Sequence, residues 1–192
     1  HAFFRRQRQM CIRDRYTRGA GSMELCQGVA DYLSNHHDIK VSAEDIVVTP
    51  GAKQAMLYSF LVTTMPGDEV ILLAPSWASY EPMLEFIGAK PVHVPVRKDN
   101  FHPDLDAIRE AVTDRTRMIL LNSPCNPTGA VFTPEEIQGI LQIAVDNDLW
   151  IVSDEIYSRM VWVDWPHVSP ASLPGGMERT IVVNGWSKSW AM

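Results

Sequence analysis

The stretch Met118-Ile119-Leu120-Leu121-Asn122-Ser123-Pro124-Cys125-Asn126-Pro127-Thr128-Gly129 decides the fold. Four apolar residues without polar alternation read as a strand covered on both faces, and the asparagines, prolines and glycine that follow read as a turn-rich loop. A helix start comes next, with Thr133 ahead of Pro134 and Glu135 and Glu136 in the first turn. Apolar residues then recur three and four apart as far as Asn147. Strand, polar loop and helix make half of a parallel crossover unit, and the same order repeats on both sides of it.

Short β-branched runs predict strands at Ile46–Thr49, Glu69–Ala74, Val92–Val96, Met118–Leu121, Trp150–Ser153 and Thr180–Val183. Helical periodicity covers Ser22–His36, Ala52–Met65, Asp104–Val112 and Pro134–Asn147. The alternation predicts an α/β class: a three-layer αβα domain with a mostly parallel sheet between helices. Such sheets bind ligands beyond the carboxyl ends of their strands. The loops there read Pro50-Gly51-Ala52-Lys53, Pro75-Ser76-Trp77, Asn122 to Gly129, Asp154-Glu155-Ile156-Tyr157 and Asn184-Gly185-Trp186-Ser187-Lys188.

Composition narrows the function. With 17 basic and 23 acidic residues the net charge is -6, which argues against a nucleic-acid surface. No apolar run reaches the roughly 20 residues that a membrane helix needs. Five of the arginines crowd into residues 1–15, a segment read as a non-native arm and set apart from a domain over 16–192. The three cysteines, Cys11, Cys26 and Cys125, show no metal-ligand spacing and fit a reduced, cytoplasmic protein.

In order, Thr49-Pro50-Gly51-Ala52-Lys53-Gln54, the aromatic after Pro75, Asn126-Pro127-Thr128-Gly129, Asp154-Glu155-Ile156-Tyr157 and Ser187-Lys188-Ser189 resemble the aspartate aminotransferase-like family (class I and II) of fold type I pyridoxal-phosphate enzymes. The likeness runs from about Tyr16 to Met192. It implies transfer of an amino group from an L-amino acid, aspartate or a broad set, to a 2-oxo acid, with pyridoxal 5'-phosphate as cofactor. It also implies a homodimer.

That resemblance gives each loop a task. Lys188 would hold the cofactor covalently by its amine and later shuttle the proton, where a lone lysine is otherwise a solvated charge. Asp154 would keep the ring nitrogen protonated, or simply cap the turn that follows it. Tyr157 and Asn126 would donate to the ring oxygen, although Asn126 also suits a plain turn before Pro127. Gly51 with the amides of Ala52 and Lys53 would cradle the phosphate at a helix start, and Trp77 would stack on the ring unless it is only a core residue. Tyr16 would reach the phosphate of the neighbouring subunit.

Gly185 departs from the family pattern, which often has a serine there, so one phosphate ligand is in question. The family pattern continues past Met192 with a phosphate arginine, a further strand and a small domain. The expectation is therefore a partial large domain whose sheet has a gap beside Ile46–Thr49, unstable and inactive by itself. A carbon–sulfur β-lyase of the same fold and the aminotransferase-like sensor domain of a transcription regulator share these motifs and stand as alternatives.

Overall fold

A computed structural model describes residues 18–192. Its centre is one sheet of five parallel strands: β1 (Glu69–Ala74), β2 (Lys90–Pro95), β3 (Thr116–Asn122), β4 (Trp150–Asp154) and β5 (Thr180–Val183), in the order β2-β1-β3-β4-β5. The chain runs from β1 outward to β2, then crosses back to the other side of β1 for β3. That reversal puts the switch point between β1 and β3, the position where a crevice opens at the carboxyl ends.

Alternation along the strands builds two cores. Ile71, Leu73, Ile119, Leu121 and Ile151 face one side, where Ile108 of α4 (Leu105–Ala111) and Ile137, Ile140 and Ala144 of α5 (Pro134–Asp146) cover them. Val70, Leu72, Met118, Leu120, Val152 and Val183 face the other, under Met56 and Phe60 of α2 (Ala52–Thr63) and Tyr80 and Leu84 of α3 (Tyr80–Phe86). Each such aliphatic side chain contributes about 1.5–3 kcal/mol on burial, so the two faces hold the three layers together. A smaller cluster of Leu33, Ile39 and Ala171 seats α1 (Met23–His37).

Local signals set the helix ends. Thr133 and Glu136 form a reciprocal capping box at α5, with Pro134 in the first turn. α1 starts at Ser22, whose hydroxyl accepts from the Leu25 N–H, and stops at Asp38 in the left-handed region (φ 53°). α4 and α5 approach closely because Gly139 has no side chain; a Cβ there would lie 2.5 Å from Leu105 Cδ1.

One predicted element does not form. Ile46–Thr49 is extended but pairs with no strand, and its Val48 N–H bonds the Ala20 carbonyl instead. Ile46 and Val182 of β5 both pack against the small cluster of Leu33, Ile39 and Ala171. β-Branched residues favour extended backbone, but a strand needs a neighbouring edge in register, and none adjoins this segment among the described residues. The short helix α3 and the 3-10 turns at Ala43–Asp45, Pro170–Ser172 and Met177–Arg179 went unpredicted. Among the described residues no helix is long and apolar enough to cross a membrane.

Candidate active site

A cavity of about 270 Å³ opens at the carboxyl ends of β3 and β4, beside the switch point. Its floor is Asp154, the last residue of β4, and α2 enters its rim by its first turn. Lys188 stands exposed at the mouth, in the turn after β5.

Asp154 is buried and fully engaged. Oδ2 accepts a hydrogen bond from Tyr80 Oη at 2.6 Å, and Oδ1 accepts from the Ile156 N–H at 3.2 Å. Burial pushes its pKa above the ordinary carboxylate range; the Tyr80 and Ile156 donors work against that, and the charge of Glu155 adds to it. Tyr80 is driven upward by burial and by the Asp154 charge, so the phenol keeps its proton and remains the donor.

The loop after β3 is locked to this floor. Asn122 and Asp154 are register partners on neighbouring strands. Asn122 Nδ2 donates to the Asp154 carbonyl at 3.1 Å, while its Oδ1 accepts the Asn126 N–H at 2.7 Å. The wall residue Asn126 is thereby placed from the strand below it. Gly129, at φ 74°, closes the turn with a bond from its N–H to the Cys125 carbonyl.

The start of α2 brings backbone donors to one corner of the cavity. Gly51 adopts φ 93°, a conformation that favours glycine, and its carbonyl takes the first helical bonds from the Gln54 and Ala55 N–H groups. The Ala52 and Lys53 amides precede that first bond and have no acceptor within the helix, and both residues line the cavity. Trp77 forms another wall, edge-on to Tyr80 at 5.2 Å, with Lys53 Nζ 5.2 Å from the centre of its indole. Lys188 Nζ lies 5.9 Å from the centre of the Tyr157 ring.

Gly51, Ala52, Lys53, Trp77, Asn126, Asp154, Tyr157 and Lys188, dispersed over 138 positions of sequence, thus surround one cavity. Tyr16 lies outside the described residues. Tyr80, Asn122, Ile156 and Ser187 also line the space and had been assigned no role from sequence. Ser187 and Ser189 diverge: the first faces the cavity, and the second donates to the Ile156 carbonyl at 3.3 Å. At Gly185 a Cβ would meet Ala52 Cβ at 3.9 Å, an ordinary contact, so the departure leaves space rather than a clash.

This arrangement can hold a planar, phosphorylated aromatic carbonyl compound. Unpaired amides and a positive helix end suit the phosphate, a buried carboxylate suits a protonated ring nitrogen, and an amine stands at the mouth.

Comparison with known proteins agrees with the geometry. The family model for aminotransferases of class I and II matches residues 5–192. The chain is 42% identical to an aspartate aminotransferase of Musicola paradisiaca, over 92% of its own length and 45% of the relative's. It is 41% identical to a probable aspartate/prephenate aminotransferase of Thermus aquaticus, over 93% and 46%. An aromatic aminotransferase of Pyrococcus horikoshii superposes with a TM-score of 0.90 at 40% identity, covering 93% of this chain and 48% of that one. The chain thus spans about half the length of the relatives it matches.

Proposed function

The chain belongs to the class I and II aminotransferase family, and we propose that the protein carrying it moves the amino group of an L-amino acid to a 2-oxo acid with pyridoxal 5'-phosphate. The observation that carries this reading is the convergence of Lys188, Asp154, Asn126, Tyr157 and the first turn of α2 on one cavity. Residues 16–192 would form the cofactor-binding domain, with residues 1–15 outside it. The names of the relatives favour aspartate, or a broader set that includes aromatic amino acids, as donor.

Bound in this cavity, the cofactor supplies an electron sink for charge that develops at the substrate α-carbon. The protein's own groups do the rest. Lys188 Nζ would hold the cofactor by its amine and, standing at the mouth of the cavity, would take up and return the proton of the substrate α-carbon. Asp154, oriented by Tyr80 and the Ile156 N–H, would hold the proton of the ring nitrogen at the buried floor. Tyr157 and Asn126 would donate to the ring oxygen, the amides of Ala52 and Lys53 would receive the phosphate, and Trp77 would cover one face of the ring. Tyr16 would complete the phosphate site of a second subunit in a homodimer. Cys26 and Cys125 are free thiols, which suits a reducing cytoplasm.

The test is covalent mapping. After incubation with pyridoxal phosphate and borohydride reduction, the peptide containing Lys188 carries the cofactor's mass in the wild type and not in Lys188→Ala. Labelling elsewhere, or equal labelling of the variant, overturns the assignment. In the protein carrying this chain, the variant should also lose turnover by about a million-fold, the scale seen when a covalent catalyst is removed.

A further inference from the structure

Behind the floor of the cavity lies a second group of side chains that the proposed chemistry does not use. Alternation at the end of β4 turns Ser153, and Glu155 just after the strand, away from Asp154. Glu155 is completely buried. Its Oε1 accepts hydroxyl donors from Ser153 at 2.9 Å and Ser169 at 2.6 Å, and its Oε2 stands 3.1 Å from His167 Nε2.

The imidazole of His167 is 6% exposed, and its Nδ1 is buried with no hydrogen-bond partner. A second imidazole approaches from another element: His37, the last residue of α1, is half-buried with its ring centre 6.0 Å from that of His167. One ligand atom from each of His37, Glu155 and His167 lies within 4.8 Å of the other two.

We propose that His37, Glu155 and His167 form a binding site for a divalent transition-metal ion of the zinc type. Two imidazoles and one carboxylate are a ligand set such ions favour, and three protein ligands leave a fourth position for water. Bonds of about 2.0–2.2 Å require neighbouring ligand atoms to lie about 3.3–3.5 Å apart. The Glu155–His167 edge is already close to that spacing. His37 closes the remaining gap by side-chain rotation at the exposed end of α1, at the cost of its 3.2 Å contact with Tyr32 Oη.

The two serine hydroxyls on Oε1 act as the outer shell that orients the carboxylate toward the imidazoles. The bound ion joins three segments, the end of α1, the turn after β4 and the loop before Pro170. It therefore adds a polar clamp at the carboxyl end of α1, beside the small apolar cluster of Leu33, Ile39 and Ala171. Hard cations such as magnesium and calcium prefer all-oxygen ligands and are excluded.

The experiment uses the full chain, free of affinity tags, titrated with Zn²⁺ alone by calorimetry and by thermal unfolding, with Mg²⁺ as control. The site predicts one equivalent of zinc bound and a Tm that rises with zinc and not with magnesium. His37→Ala, at a half-buried helix end, should leave the metal-free Tm close to the wild type. It should weaken zinc by at least about 100-fold, since outer-shell partners alone account for 10–100-fold. Ser169→Ala, which removes an outer-shell donor, should weaken it by the smaller of these factors. Absence of stoichiometric zinc, or equal affinity in His37→Ala, overturns the site and leaves Glu155–His167 as a hydrogen-bonded pair only. No arm of this test involves pyridoxal phosphate, so it stands or falls apart from the proposed activity.

Discussion

Tyr80 Oη donates to Asp154 Oδ2 at 2.6 Å, joining the first residue of α3 to the last residue of β4. Burial disfavours the charged carboxylate and the phenol restores part of that cost, so in the proposed function the pair would set how readily Asp154 holds a cationic ring nitrogen. Tyr80→Phe keeps the ring packing and removes the donor. It should lower stability by about 2 kcal/mol, the usual worth of a hydrogen bond to a charged group. Cofactor affinity, followed by tryptophan fluorescence, should fall about tenfold; unchanged affinity would show that the Ile156 N–H suffices.

The capping box of α5 offers a test remote from the site. Thr133 Oγ1 accepts from the Glu136 N–H at 3.2 Å, and Glu136 returns a bond to the Thr133 N–H at 2.9 Å. Thr133→Ala should cost about 1 kcal/mol in denaturant unfolding. Glu136 also meets His102 at 2.7 Å, so Glu136→Ala should cost more than the loss of the cap alone. Equal costs would mean that the His102 contact adds nothing.

How far the sequence could be read follows from where each signal resides. The floor, walls and mouth of the cavity were legible because Asp154 at a strand's end and Asn126 and Lys188 in loops break the apolar pattern around them, and the family resemblance gave those positions their tasks. Tyr80 was not legible: three residues after Trp77, it looks like any aromatic on a buried helix face, and only the fold puts it against a carboxylate 74 residues away. Asn122 carried an unused signal, a polar residue ending an apolar run, in the position that Asp154 holds on the adjacent strand. Ile46–Thr49 keeps the extended backbone that its residues favour but joins no sheet, because membership depends on a partner strand and the gap expected beside it leaves none among the described residues. The approach of His37 to Glu155 and His167 joins positions more than a hundred residues apart, which periodicity cannot reveal.

Gly176 should resist substitution although its φ of -87° is ordinary. A Cβ there would lie 1.8 Å from the Pro170 carbonyl oxygen and 2.8 Å from its carbon, and backbone cannot retreat as a flexible side chain can. Gly176→Ala should therefore cost about 3 kcal/mol, at the upper end for overpacking. Gly67→Ala is the contrasting case, with nothing within 4 Å of the new Cβ but φ at 93°, so its cost reflects backbone strain alone and should be smaller. Chemical denaturation of both variants checks the order.

Glu69 gives the acid limb of the stability curve a named source. It is 2% exposed at the start of β1, where its carboxylate accepts from Thr113 Oγ1 at 2.6 Å, Lys90 Nζ at 2.9 Å and Arg115 at 3.1 Å. The Thr113 hydroxyl first, then the Lys90 ammonium, bring its pKa from 4.5 to about 2. The folded chain thus prefers the ionised form more than the unfolded chain does. Its stabilising contribution is complete above pH 4.5 and is lost as the pH falls toward about 2. Glu69→Gln should lower the Tm at pH 7, flatten its dependence between pH 4.5 and 2, and converge on the wild type near pH 2. Because Glu69 lies at the amino ends of the strands, away from the cavity, cofactor affinity should not change. Parallel Tm profiles for the two proteins across that interval would show that other carboxylates govern the acid limb.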